Sequence, residues 1–270
     1  MNILLIPDSR GGSAPENPGD SNLIELDHRQ SEHCRNILRV KPGDTLFVGE
    51  INGNCGYAEV VTTGKTEKFS EECVTIAIKK GSLEIPPPAP SPVALHLALC
   101  RPKMLRRMLK TAAELGVKDI HIINSSKVEK SYWQSPLLSD QSIEKCLIEG
   151  LEQSKDTVLP TVTRHPMFRP YVEDELALLI KEKNTWVAHP HCVERSINDF
   201  IASINNKSTV KASEPAGQCT HLFIGPEGGF NDFEINLLKT AGVSAFKAGD
   251  RIMRCETFLP YILGSISHFQ

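Results

Sequence analysis

The sequence predicts an α/β protein whose larger, C-terminal domain (93–270) carries a parallel sheet and is preceded by a small β-rich domain (1–80). Three observations carry this. From Val93 onward, apolar strand-like runs alternate with amphipathic helical stretches, the order that builds a parallel sheet covered by helices. Short strand patterns broken by Pro-Gly and Asn-Gly turns fill Thr45–Ile78. Between them, Ile85-Pro86-Pro87-Pro88-Ala89-Pro90-Ser91-Pro92 excludes helix, so 81–92 reads as a stiff extended linker.

In the first domain the strands are Leu46–Val48, Tyr57–Val61 and Val74–Ile78, separated by Pro42-Gly43-Asp44, Asn52-Gly53-Asn54 and Gly64. Strands this short and closely spaced suggest a small β-barrel. Residues 9–22, rich in Gly, Ser, Pro and Asn, read as a loop.

In the second domain Val93–Cys100 is a buried strand and Pro102–Leu115 a helix. Met104, Leu105, Met108, Leu109 and Ala112 recur at three- and four-residue spacing, while Lys103, Arg106, Arg107 and Lys110 share the opposite face. Gly116 stands where a left-handed residue closes a helix, ahead of strand Ile120–Ile123. The alternation continues with helix Ile143–Gln153, strand Val158–Val162 and helix Val172–Lys181. Strand Thr185–Ala188, helix Ser196–Ile204 and strand Leu222–Ile224 follow. Asn231, with Glu234 three residues on, forms a capping box for a helix that ends near Gly242.

Composition excludes several classes. The formal net charge of −3 is unusual for a nucleic-acid binder, and 1–80 holds more acidic than basic residues. Any contact with RNA must therefore be a local patch. Arg29, Arg35, Arg39 and Lys41 form one; Arg101–Lys110 forms another, with Arg101, Lys103, Arg106, Arg107 and Lys110. Alone, either is an ordinary solvated face. The eight cysteines show no regular spacing, which predicts reduced thiols and no zinc site. His189-Pro190-His191-Cys192 has poor ligand geometry and reads as a strand-end loop, so no metal is expected. No apolar run reaches a membrane span and Met1–Pro7 is too short for a signal peptide, which predicts a soluble, cytoplasmic protein.

Chemistry concentrates in two segments. Gly225-Pro226-Glu227-Gly228-Gly229-Phe230 follows the apolar run His221–Ile224 and precedes a helix. Gly249-Asp250-Arg251-Ile252-Met253-Arg254-Cys255-Glu256-Thr257 lies one helix and one strand later. In open α/β sheets such strand ends are where ligands sit. Glycines let backbone approach a ligand closely. Pro226 and Glu227 stand where a phosphate loop would place Lys and Ser/Thr, which argues against a nucleoside triphosphate. A nucleoside bearing a positive centre and no phosphate, such as S-adenosylmethionine, fits better.

Together the two segments resemble the signature of the ribosomal RNA small-subunit methyltransferase E family, SPOUT-class enzymes that methylate N3 of a uridine in 16S rRNA. His33-Cys34-Arg35-Asn36-Ile37-Leu38-Arg39 with Gly43, Ala113-Glu114-Leu115-Gly116-Val117 and Glu152-Gln153-Ser154 agree, in the family's order. The resemblance implies a C-terminal trefoil knot where periodicity alone predicts an ordinary doubly wound sheet. It further implies that the first domain is a PUA-like RNA-binding barrel and that the protein is a homodimer acting on the small ribosomal subunit. It points the two basic patches, through Arg29, Arg35, Arg39, Lys103, Arg106 and Arg107, toward RNA.

The implied cofactor is S-adenosylmethionine, gripped by Gly225, Glu227, Gly228, Gly229, Ile252 and Met253, with Ala188 and His189 supplying a third loop. Arg254 is the candidate cation that stabilises an imide anion, or else a brace for Glu256 or Glu227. Arg251 reads as structural. Glu256 and Glu227 both qualify as proton acceptor, ribose holder or helix cap. The chain departs from the family at Lys155-Asp156, where an Arg is common, at Ala248-Gly249 and at Phe258. Two other readings stay open: a SPOUT enzyme for another rRNA or tRNA nucleotide, and a non-catalytic RNA-binding ribosome-assembly factor.

Overall fold

The computed structural model describes residues 1–7, 22–66, 69–79, 81–180, 184–205 and 220–267. Residues 9–21 of the expected loop lie outside the described residues. The chain divides into two compact units, Met1–Pro88 with Leu151–Leu159, and Ala89–Gly150 with Pro160–Gln270.

The first unit contains β1 (Leu4–Ile6), β2 (Asn22–Glu25), α1 (His28–His33), β3 (Thr45–Glu50), β4 (Cys55–Thr62), β5 (Lys65–Thr66), β6 (Phe69–Glu72) and β7 (Thr75–Ile78). Five strands form one mixed sheet in the order β1-β3-β4-β7-β2, and β5 pairs with β6 separately. β1 runs parallel to β3 with Leu4 opposite Val48, whereas the other pairings in the large sheet are antiparallel. Inward side chains Leu4, Ile6, Val48, Ala58, Val60 and Ile76 close its core with Leu26 and Cys34. α1 starts at a reciprocal cap, Asp27 accepting from the Gln30 N–H while the Gln30 side chain accepts from the Asp27 N–H. It continues as a π-helical turn, Cys34–Leu38, closed by Arg39 in the left-handed region at φ 55°.

Leu151–Leu159 joins this unit through Glu152, whose backbone carbonyl accepts from the Asn2 and Ile3 N–H groups. Part of the expected linker is also paired, because Ile85 and Cys55 exchange backbone hydrogen bonds of 2.7 and 3.0 Å.

The second unit contains β8 (Val93–Ala98), α2 (Pro102–Glu114), β9 (Asp119–Ile123), α3 (Asp140–Ser154, its last turn assigned to the first unit), β10 (Thr161–His165), α4 (Phe168–Pro170), α5 (Leu176–Leu179), β11 (Thr185–Ala188), α6 (Ile197–Asn205), β12 (Thr220–Ile224), α7 (Asp232–Thr240), β13 (Ser244–Phe246) and α8 (Cys255–Ser267). All six strands are parallel, in the order β10-β9-β8-β12-β11-β13. β8 and β12 are buried along their whole length, so both faces of the sheet's middle are covered. α2 follows its pattern, with Pro102 in the first turn and Leu105, Met108, Leu109 and Ala112 buried; Met104 is half-buried. Gly116 ends it at φ +80°.

Two elements differ from expectation. The strand expected at Val158–Val162 begins at Thr161. Side chains take the backbone donors just before it, Asp156 accepting from Val158 N–H and Asn52 from Leu159 N–H, and Pro160 has none to give. The helix expected at Val172–Lys181 starts at Phe168, and a π-helical turn, Tyr171–Glu175, splits it. Among the described residues no helix is long and apolar enough to cross a membrane.

Candidate functional site

β12, β11 and β13 are neighbours in the sheet, and the chain leaves each through a loop at its C-terminal end. These loops enclose a cavity of about 530 Å³. Ala188 ends β11 and His189, Pro190 and His191 follow it; Gly225–Asp232 follows β12; Ala248, Gly249, Arg251, Ile252 and Met253 follow β13. Cys255 and Phe258 close the wall from the first turn of α8, and Lys127 enters from the loop after β9.

The loop after β12 is shaped from both sides. Asn231 accepts from Glu234 N–H at 2.8 Å while Glu234 accepts from Asn231 N–H at 2.9 Å, which fixes the start of α7. Gly229 lies in the left-handed region at φ +68°, and a Cβ added there would meet no atom within 4 Å. Its side-chain space is open, and L side chains resist its backbone angle. The Cys255 thiol donates to the Gly225 carbonyl at 3.2 Å and so joins the first loop to the second.

Charges in the wall are few. Lys127 and Arg251 are its exposed cations, Glu227 and Asp232 its exposed carboxylates. Glu227 accepts from the Arg101 N–H at 3.2 Å, at the N-terminal end of α2, where the helix dipole favours a negative charge. Burial, and then the neighbouring His191, hold the His189 imidazole below its ordinary pKa. Burial also pushes the Cys255 thiol up to about 11, helped by the fields of Glu227 and Glu256, so the thiol stays protonated and keeps its role as donor.

Ala188, His189, Gly225, Glu227, Gly228, Gly229, Ile252 and Met253, the residues expected to hold a cofactor, all line this cavity. Arg254 and Glu256 do not. Arg254 is exposed at the start of α8, where its carbonyl accepts from the Thr257 and Phe258 N–H groups. Glu256 lines a separate groove with Arg107, Lys110, Thr111 and Glu114 of α2. Arg251, read from sequence as structural, lines the cavity.

Of the expected RNA contacts, Lys103, Arg106, Arg107 and Arg39 are exposed and Arg35 is half-buried. Arg29 is committed within its own unit, both terminal guanidinium nitrogens donating to Glu152 at 2.7 Å. Lys127, Cys255 and Phe258 escaped the sequence reading as wall residues. Lys127 had a usable signal, since it follows a parallel strand at its C-terminal end like the other loops. Among the described residues no group of His, Cys, Asp and Glu could hold a metal.

The family described as RNA methyltransferase domain matches residues 87–267, which include the whole of this cavity. The chain belongs to the RNA methyltransferase family. Its relatives include proteins named ribosomal RNA small subunit methyltransferase E. The protein of that name from Treponema pallidum is 28% identical over 236 residues, covering 86% of this chain and 80% of the relative. Ribosomal RNA small subunit methyltransferase E 1 of Borreliella burgdorferi is 25% identical, covering 87% of each.

Solved structures share the fold of this methyltransferase. Ribosomal RNA small subunit methyltransferase E from Neisseria gonorrhoeae, bound to S-adenosyl methionine, superposes with a TM-score of 0.63 at 18% identity, covering 99% of this chain and 97% of that one. A protein from Legionella pneumophila solved with the cofactor SAM superposes with a TM-score of 0.69 at 20% identity, covering 99% and 98%.

Proposed function

We propose that this RNA methyltransferase moves a methyl group from S-adenosylmethionine to N3 of one uridine in the 16S rRNA of the small ribosomal subunit. The observation that carries the reading is the cavity where three parallel strand ends meet. Its size suits a nucleoside cofactor. Its glycine loop leaves an open cradle at Gly229 and its wall mixes the apolar Ile252, Met253 and Phe258 with few cations, a poor match for a polyphosphate. Bound there, S-adenosylmethionine supplies an electrophilic methyl group on a sulfonium.

The remaining chemistry falls to the chain. Uridine N3 is nucleophilic only as an imide anion, so the site must spread negative charge over the base oxygens and accept a proton. Arg254 suits the first task, being permanently charged with a planar donor fork. Its neighbour Met253 lines the cavity and Glu256, two residues on, lines the α2 groove, which supports a role for Arg254 between donor and base. The two carboxylates divide accordingly. Glu227, in the cavity wall, accepts from the ribose hydroxyls of the donor; Glu256, beside Arg107 and Lys110, receives the uridine proton.

The basic face of α2 and the patch around Arg35 and Arg39 guide the RNA backbone, with Arg29 shaping the second patch through Glu152. The finer architecture implied by the family follows: a trefoil knot at the C-terminal end of the sheet, a PUA-like first domain and a cytoplasmic homodimer. Exposed Ile252 and Tyr261, 76% and 43% accessible beside the second loop, are the kind of apolar surface a second copy covers.

Calorimetric titration with S-adenosylmethionine, followed by transfer of a labelled methyl group to small subunits, tests the reading. Binding with transfer to 16S rRNA supports it. Binding with transfer to tRNA favours a different target, and absence of binding favours a non-catalytic assembly factor.

A further inference from the structure

The loop after β9 is fastened to the start of α7 through a buried carboxylate, Glu234. Glu234 is 2% exposed and has no ion-pair partner among the described residues. It accepts instead from Ser126 N–H at 2.6 Å and from the Ser125 hydroxyl at 3.2 Å, besides its capping bond to Asn231 N–H. Asn231 in turn donates from its side-chain amide to the Ser126 hydroxyl at 2.9 Å. A buried carboxylate needs such donors to offset its desolvation, and the three bonds that involve Ser125 or Ser126 tie the β9 loop to the start of α7.

The consequence is the position of Lys127. Its ammonium donates to the Gly228 carbonyl at 2.7 Å, and its Cδ stands 2.9 Å from where a Cβ on Gly228 would lie. The lysine therefore packs directly against Gly228 while it lines the cavity wall. A charge-assisted bond to the middle of a loop with adjacent glycines restrains a segment that has little side-chain packing of its own.

We infer that Lys127 is a positioning residue for the methyl-donor site: held out by Glu234, it pins the Gly228 carbonyl and keeps the glycine loop in its donor-accepting shape. This rests on the function proposed above. The test uses the full-length protein and the variants Lys127→Met and Lys127→Arg, since Lys127 is exposed and its exchange leaves the core untouched. Hydrogen exchange of the peptide spanning Gly228–Phe230 is measured without ligand, and S-adenosylmethionine affinity by calorimetry. Lys127→Met is expected to speed exchange in that peptide and weaken affinity about tenfold, the loss of one charge-assisted bond. The thermal midpoint stays near wild type, and Lys127→Arg restores most of the protection. Wild-type exchange or wild-type affinity in Lys127→Met overturns the inference. Failure of the wild-type protein to bind the donor would instead sink the donor reading, with loop exchange still deciding whether Lys127 pins the loop.

Discussion

The Cys255 thiol lies 3.2 Å from the Gly225 carbonyl and joins the two loops that form most of the cavity. Burial raises its pKa to about 11, so at neutral pH it resists alkylation despite lying in a functional loop. Iodoacetamide labelling read by mass spectrometry should modify half-exposed Cys73 well before Cys255. Rapid labelling of Cys255 in the folded protein would contradict this placement.

Gly229→Val places a branched side chain in the open cradle at a backbone angle it resists. The strain costs about 1–2 kcal/mol of stability, while donor binding falls below detection because the new methyl groups fill the cavity. Thermal melting and calorimetry separate the two effects. Retained affinity would mean that the cradle is not where the donor sits.

Arg254→Ala should keep donor affinity within about threefold, since Arg254 lies outside the cavity wall, and lose turnover by two to three orders of magnitude, roughly the effect of removing one oxyanion-stabilising group. Single-turnover methylation measures this. Near-normal rates would reassign Arg254 to bracing.

Arg29→Met removes the two-pronged partner of Glu152, a side chain 2% exposed. Arg29 itself is 39% exposed, which softens the loss, so destabilisation of the first unit is expected at about 1–3 kcal/mol. Denaturant titration followed by hydrogen exchange in β1 and α1 reads it. An unchanged first unit with weakened RNA binding would restore Arg29 to direct contact.

These cases mark what the sequence made legible. The parallel sheet, α2 with its two faces, the Asn231–Glu234 cap and the loop residues of the cavity were readable because each rests on periodicity or short-range chemistry. β1 was not readable: Leu4–Ile6 is three residues long and its partner strand lies far along the chain, Leu4 facing Val48. Nor was the burial of Glu152 and Glu234, whose partners lie 123 and 108 residues away. The displacement of Glu256 into the α2 groove follows from the start of α8, which turns successive residues toward different surroundings.

A buried histidine row gives the second unit a pH dependence. His96 is fully buried, its Nδ1 hydrogen-bonded with the Tyr171 hydroxyl at 2.5 Å and its Nε2 facing His221 Nδ1 at 2.7 Å. It stacks between His121 and Phe223, and His165 lies beyond with Glu175 and Asp119. Burial first, and then these neighbouring imidazoles, hold His96 well below its ordinary value of 6.5. The unfolded chain therefore takes up a proton that the folded one refuses, and stability falls as pH drops below 6.5. Both tryptophans, Trp133 and Trp186, belong to the second unit, so fluorescence-monitored denaturation at pH 7.5 and 5.5 isolates it. Equal midpoints would refute a neutral His96.

The central claim is most directly tested by mapping methylated nucleotides in small-subunit rRNA from cells that lack this gene, before and after treatment with purified protein and S-adenosylmethionine. The account predicts that one 3-methyluridine, absent from the untreated 16S rRNA, appears on treatment. A 16S rRNA unchanged by the protein, or a methyl group on any atom other than a uridine N3, would contradict it.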